Sequence, residues 1–204
     1  MQKKAKKRNN VMKLIIGLGN PGDIYQDSRH NIGFSVIRSL CKDYRVSLKK
    51  ESGINAMSAK IRVAGNLQLF SLPLTYMNLS GSAVKSILKK HDLSADELLV
   101  VCDDLDLELG RLKIKPTGSS GGHRGVESII KNIDTQQFAR LRIGIGRPDV
   151  GVEVAEYVLE LFKRKEKIAV NQAIEQAKEC IITWIEKGTT EAMNRFNKRS
   201  EENE

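Results

Sequence analysis

Two histidines stand in glycine-rich settings where an imidazole could move a proton. His30 lies in "GLGNPGDIYQDSRHNIGF", eight residues past the Gly17-Leu18-Gly19-Asn20-Pro21-Gly22 turn, and is flanked by Arg29 and Asn31. His123 lies in "KPTGSSGGHRG". A neutral imidazole accepts a proton near pH 7 and so suits general-base work. Such a base gains from a carboxylate that holds one ring N–H and stabilises the charge the ring acquires. Asp103, at the end of the apolar run Leu98–Cys102, is the candidate. Amide side chains offer both donor and acceptor, which suits reading a peptide bond; Asn20 in the first turn and Asn78 in "TYMNLSG" supply them.

Each group also has a structural alternative. His30 could cap or pack a helix end, and His123 could shape its loop instead of acting as a second base. Asp103, Asp104 and Asp106 could be solvated acids or a weak magnesium cluster. Asn78 could be an ordinary turn residue. Lys113 and Lys115 alternate onto one strand face, with Arg142 in a later strand; they could meet a phosphate backbone or form a solvated basic face.

The first turn matches G-x-G-x-x-G, the fingerprint of a dinucleotide loop. That loop opens a helix at its third glycine and needs an acid at the end of the second strand. Here Pro21 precedes Gly22, no apolar period follows until after Ser28, and Asp43 falls late in the first helix. The residues argue against a nicotinamide-cofactor oxidoreductase, and "KPTGSSGGHRG" lacks the G-K-[ST] ending of a nucleotide loop.

The elements that must position these groups follow from periodicity. Leu14–Gly17 reads as a buried strand. Ser28 reads as the cap of a helix with Ile32, Val36, Ile37, Leu40 and Tyr44 on its apolar face, which puts His30 in its first turn. Ala56–Val63 and Leu67–Leu72 read as a hairpin turning at Gly65-Asn66. Helices are expected over Ser82–Lys90, Val126–Asn132, Glu153–Leu159, Lys163 to about Glu186, and Thr190–Asn197. Further strands are expected over Leu98–Cys102, Leu109–Ile114 and Arg140–Ile145. The mixture predicts a single α/β domain, with a mixed twisted β-sheet and helices on both faces. His30 and Asp103 meet at one sheet edge if the Leu98 strand runs parallel to the first.

The 204 residues allow one domain with a sizeable core, residues 13–197, between a basic extension, 1–12, and a polar tail, 198–204. Six of the 34 Lys and Arg fall in the first 13 residues, which hold no acid, so only a third of the formal charge of +9 belongs to the rest. The extension reads as a disordered arm or a non-specific grip on RNA or anionic lipid. Cys41, Cys102 and Cys180 are too scattered for a zinc site or a disulfide framework. No run reaches membrane-span length, and nothing fits a signal peptide. A cytoplasmic protein is expected.

Five segments, "GLGNPGDIYQDSRHNIG", "TYMNLSG", "CDDLDLELGRLKIK", "GSSGGHRG" and "FARLRIGIGRP", together resemble the bacterial peptidyl-tRNA hydrolase family in order and spacing over roughly residues 13–197. The resemblance implies hydrolysis of the ester joining peptide to tRNA. His30 is then the base, Asp103 its support, and Asn20 a residue that helps distinguish a blocked amino group from a free one. It implies that Tyr25, Tyr76 and Asn78 line the channel for peptide and 3′ end, and that Lys113, Lys115 and Arg142 face the tRNA. It also implies a monomer that needs neither metal nor cofactor and takes peptidyl-tRNA, by acceptor stem and 3′ end, as its partner. Arg124 departs from the asparagine usual in "GGHNG", so activity is expected to survive with altered substrate affinity. A non-catalytic RNA-binding relative, like the organelle splicing factor similar to this family, stays open as an alternative.

Overall fold

The computed structural model describes residues 12–198 of the chain. The basic stretch before Met12 and the tail from Arg199 onward lie outside the described residues. All four residues of the first strand, β1 (Leu14–Gly17), are buried, because layers cover both faces of the sheet and no polar alternation is needed. β1 runs parallel to β4 (Asn66–Pro73) on one side and β5 (Leu98–Asp104) on the other, with Leu14 opposite both Leu69 and Leu98. The other strands are β2 (Lys49–Lys50), β3 (Ala56–Val63), β6 (Leu112–Lys115) and β7 (Ala139–Gly144). Their order is β2-β3-β4-β1-β5-β7-β6. β3 is antiparallel to β4, and β6 to β7, so the sheet is mixed as expected.

Helices cover both faces. α1 (Ile32–Asp43) and α5 (Lys167–Phe196) bury Phe34, Ile37, Ala177 and Ile181 against Ile15, Val101 and Leu141. α2 (Ser80–Lys90) and α3 (Arg124–Ile133) bury Val84, Ile87, Val126 and Ile129 against Leu14, Val100 and Phe138. A four-residue helix, α4 (Val154–Tyr157), lies in the connection from β7 to α5. Along β5 the odd residues Leu99 and Val101 join the first core, and the even residues Leu98, Val100 and Cys102 join the second. Period-2 alternation then turns Asp103 toward the α1 face and Asp104 toward the α3 face.

The glycines of the first turn are explained by packing. A Cβ on Gly17 would lie 2.3 Å from the Gly33 carbonyl oxygen, and one on Gly19 would lie 2.6 Å from the Phe34 ring. They let α1 lie directly on β1, with no cofactor needed to account for them.

Several boundaries differ from the sequence expectation, each for a local reason. Ser28 does not cap α1: its Oγ donates to the Tyr25 carbonyl, and a 3₁₀ turn, Arg29–Asn31, intervenes before Ile32. His30 thus sits in that turn and not in the first turn of α1, while Tyr44 ends the helix and is 40% exposed. The β3–β4 hairpin turns at Ala64-Gly65, both at positive φ (47° and 84°), and Asn66 already pairs with Val63. β6 starts at Leu112, not Leu109, because Gly110 takes a left-handed φ of 86° in the preceding turn. The last long helix starts at Lys167, after a 3₁₀ turn at Arg164–Glu166, and breaks at Gly188, φ 83°. There Lys13 Nζ donates to the carbonyls of Trp184 and Ile185, each at 3.0 Å, satisfying groups that the break leaves without intrahelical partners.

Candidate active site

At the carboxyl ends of β1 and β5 the chain opens a cleft of about 890 Å³, lined among others by Asn20, His30, Asp103, His123 and Arg124. The parallel pairing of β1 and β5 brings the His30 turn over Asp103. Asp103 is 4% exposed. Its Oδ1 lies 2.8 Å from His30 Nδ1 and 3.0 Å from His123 Nε2. Burial alone would raise the Asp103 pKa; the facing histidines and their hydrogen bonds outweigh it and hold the carboxyl well below its ordinary value. An ionised carboxylate only accepts, so His30 carries its proton on Nδ1. Its Nε2 is left with a lone pair and no partner among the described residues.

His123 has a second task that sequence reasoning left undecided. It is the N-cap of α3, and its Nδ1 accepts from the amides of Gly125 and Val126 at 3.1 and 3.3 Å. The signal was present, since an acceptor side chain directly before a helix is the pattern of a cap. The ring proton therefore sits on Nε2 and points at Asp103. The facing atoms of His30, Asp103 and His123 fall within 4.8 Å of one another. A cation there would have to displace both ring protons and strip α3 of its cap.

Asn20 is held at three points. Its main-chain N–H donates to Asn31 Oδ1 at 2.8 Å, and its carbonyl accepts from Asn31 Nδ2 at 2.9 Å. Its own Oδ1 accepts from the Met77 amide at 2.8 Å. Its NH₂ group is thus the end left for the cleft. Asn31, buried at 1% exposure, is a clamp that sequence reasoning noted but did not assign.

The His30 turn also hangs from the chain segment after α4. The amides of Arg29 and His30 donate to the carbonyls of Glu160 (2.9 Å) and Val158 (2.8 Å). The buried Arg29 guanidinium pairs with Glu166 at 2.8 Å and lies between the rings of Tyr157 and Phe162. This clasp joins residues more than a hundred positions apart, so spacing could not reveal it.

The other expected residues divide. Tyr76 and Asn78, both exposed, line the cleft beside the 3₁₀ turn Met77–Leu79, and Lys115, Arg124 and Arg142 line it too. Tyr25, in the 3₁₀ turn Asp23–Tyr25, and Lys113 do not line it. Lys113 pairs across the ladder with Arg142, so the two share a face. Arg142 is bound by the buried Asp104 and Arg147 by Asp106. Buried Arg140 donates to the carbonyls of Gly118 and Ser119 (2.6 and 2.8 Å) and shapes the glycine-rich loop. Lys115 and Arg124 make no ion pair within 4.0 Å among the described residues; Arg140 makes none either, but its guanidinium is taken up by loop carbonyls, so Lys115 and Arg124 are the cleft cations left to meet a ligand.

No helix of the described residues is long and apolar enough to cross a membrane. The family model for peptidyl-tRNA hydrolase matches residues 14–204. The peptidyl-tRNA hydrolase of Aquifex aeolicus is 46% identical over 92% of this chain and 97% of its own length. That of Shouchella clausii is 42% identical over 91% of this chain and its whole length. The crystal structure of the Acinetobacter baumannii peptidyl-tRNA hydrolase superposes with a TM-score of 0.86 at 34% identity, covering 91% of this chain and 94% of that one. With the fold, the cleft and these relatives in agreement over nearly the whole chain, it belongs to the peptidyl-tRNA hydrolase family.

Proposed function

We infer that this chain hydrolyses the ester between peptide and tRNA in peptidyl-tRNAs that leave the ribosome prematurely, and that His30 is its base. The observation that carries the assignment is the His30 Nδ1–Asp103 Oδ1 contact of 2.8 Å, which fixes the ring with its Nε2 lone pair free. A water held at Nε2 gives up a proton to the ring while its oxygen bonds to the ester carbonyl carbon. The bond from that carbon to the ribose oxygen then breaks, and the imidazolium returns its proton to the ribose oxygen. The products are a peptide acid and a tRNA with a free terminal ribose. Asp103 stays ionised throughout and stabilises the imidazolium. General-base help of this kind typically gives about 10²–10⁴-fold.

The NH₂ of Asn20 donates to the peptide carbonyl next to the ester, and Asn78 and Tyr76 flank the same path. A substrate with a free amine in place of the amide leaves such groups unpaired, which penalises aminoacyl-tRNA. Lys115 and Arg124 meet phosphates near the 3′ end, while Lys113 and Arg142 extend the basic face. Arg124 replaces an amide with a charged fork that still donates, so Arg124→Asn changes turnover only modestly; a rise of several orders of magnitude would count against this assignment. The enzyme is read as a cytoplasmic monomer working without metal or cofactor, its catalytic domain being residues 13–197.

The test is peptide release from N-acetyl-aminoacyl-tRNA. Wild type releases peptide, and His30→Ala loses release while keeping tRNA affinity. A wild type that binds tRNA but releases nothing overturns the catalytic reading.

A further inference from the structure

Asp103 has two imidazole donors on one oxygen, although a base needs only one. We propose that His123 is a positioning residue that takes a share of the Asp103 charge and thereby sets the acidity at which His30 works. The proposal rests on the assignment of His30 as base, and it adds a control on that base.

The geometry makes His123 a fixed donor. The amides of Gly125 and Val126 occupy Nδ1, so a proton there would cost two hydrogen bonds and face the positive end of α3. Its Nε2–H therefore remains on Asp103 Oδ1 while His30 cycles between neutral and charged. The two rings are 5.0 Å apart between centroids. Were His123 free to take a proton, a second positive charge would oppose the imidazolium forming on His30; as a capped, neutral ring it imposes no such repulsion. What it does impose is competition, because an acceptor that serves two donors binds each less strongly than it would bind one.

The remaining charged groups around His30 do not supply this effect. On the α3 side, Asp104 is matched by Arg142, and Asp106 by Arg147. Arg140 is spent on loop carbonyls, and Lys115 and Arg124 line the cleft without touching Asp103. Behind the ring, Arg29 is matched by Glu166, and Glu153 enters the cleft lining from the α4 side. Buried Cys102, next to Asp103, has its thiol pushed up by burial and stays neutral.

His123→Asn separates the two tasks. Asparagine is among the best N-cap residues, so α3 keeps its cap, but the shorter side chain no longer donates to Asp103. Deprived of its competitor, Asp103 holds the His30 imidazolium more tightly. The His30 titration midpoint, followed by NMR in a chain with only three histidines, moves upward, with a protonation constant raised about threefold or more. The acid limb of kcat/KM for release moves the same way. In wild type, ¹⁵N shifts show His123 as the Nε2–H tautomer across the range in which His30 titrates. An Nδ1–H tautomer, a His123 that titrates with His30, or a variant whose His30 midpoint stays in place overturns the proposal. The wild-type tautomer measurement decides even if the variant fails to fold. A midpoint that rises in a protein releasing no peptide would leave the charge sharing intact and sink the hydrolytic assignment instead.

Discussion

Replacing Asp103 by asparagine removes one negative charge and almost no volume. Asp103 is 4% exposed, and its Oδ1 lies 2.8 Å from His30 Nδ1, so the substitution acts on the ring and not on substrate contacts. With charge centres about 4 Å apart and an effective dielectric of about 20, the carboxylate stabilises a full imidazolium by about 4 kcal/mol. At 1.36 kcal/mol per decade that is about 10³-fold in rate, or about 30-fold if the proton is half transferred in the transition state. If the amide turns its NH₂ toward His30, the ring must move its proton to Nε2, and the loss approaches that of deleting the base. Single-turnover release from N-acetyl-aminoacyl-tRNA, with enzyme in excess, reads this directly. Asp103→Asn should lower kcat by about 30-fold to 10³-fold with KM little changed. A loss below about fivefold, or one carried by KM, would refute the charge argument.

The double change Lys113→Ala and Lys115→Ala should flatten the dependence of tRNA affinity on salt, by a slope of up to about 0.9 per lost phosphate contact; an unchanged slope moves the tRNA face elsewhere. Arg142→Ala should act chiefly on stability, since it strands the buried Asp104 at a cost of about 3 kcal/mol, visible in urea unfolding. Gly33→Ala should cost about 3 kcal/mol or more, because its Cβ would lie 2.4 Å from the Val101 carbonyl oxygen; a variant with wild-type Tm would contradict that packing. Because Asp103 is held below its ordinary value, its stabilising effect is complete above the unfolded value of about 3.9 and is lost as pH falls below it. Urea midpoints between pH 3 and 7 should therefore fall less steeply for Asp103→Asn than for wild type.

Elements with strong periodicity were legible in the sequence. β1 and β3 match residue for residue, because a four-residue apolar run and an alternating segment next to a glycine turn leave little choice of register. The ends of helices were less legible. Ser28 has the right chemistry for a cap, yet the tertiary bonds of Arg29 and His30 to Glu160 and Val158 hold the turn in a 3₁₀ form and delay α1 to Ile32. The same distinction applies to the site. His30, Asp103 and Asn20 could be picked out by type and by position at strand ends, since the topology rule for open sheets gathers functional groups there. Asn31 and the Arg29–Glu166 pair could not, because each depends on which distant residue lies opposite; for His123 the local cap was legible, but its bond to Asp103 was not. Alternation puts Lys113 and Lys115 on one strand face, but it could not tell that Asp104 pairs with Arg142 in the neighbouring strand, or that Lys115 lines the cleft while Lys113 does not.

The main-chain bonds from Arg29 and His30 to Glu160 and Val158 make one wall of the cleft and the His30 turn a single interlock. Val154, Val158 and Leu159 help wall the cleft, and the same stretch suspends the imidazole. Any displacement of that stretch would break both main-chain bonds and take the anchor from the His30 turn, so the placing of the ring against Asp103 is tied to how this wall of the cleft is seated.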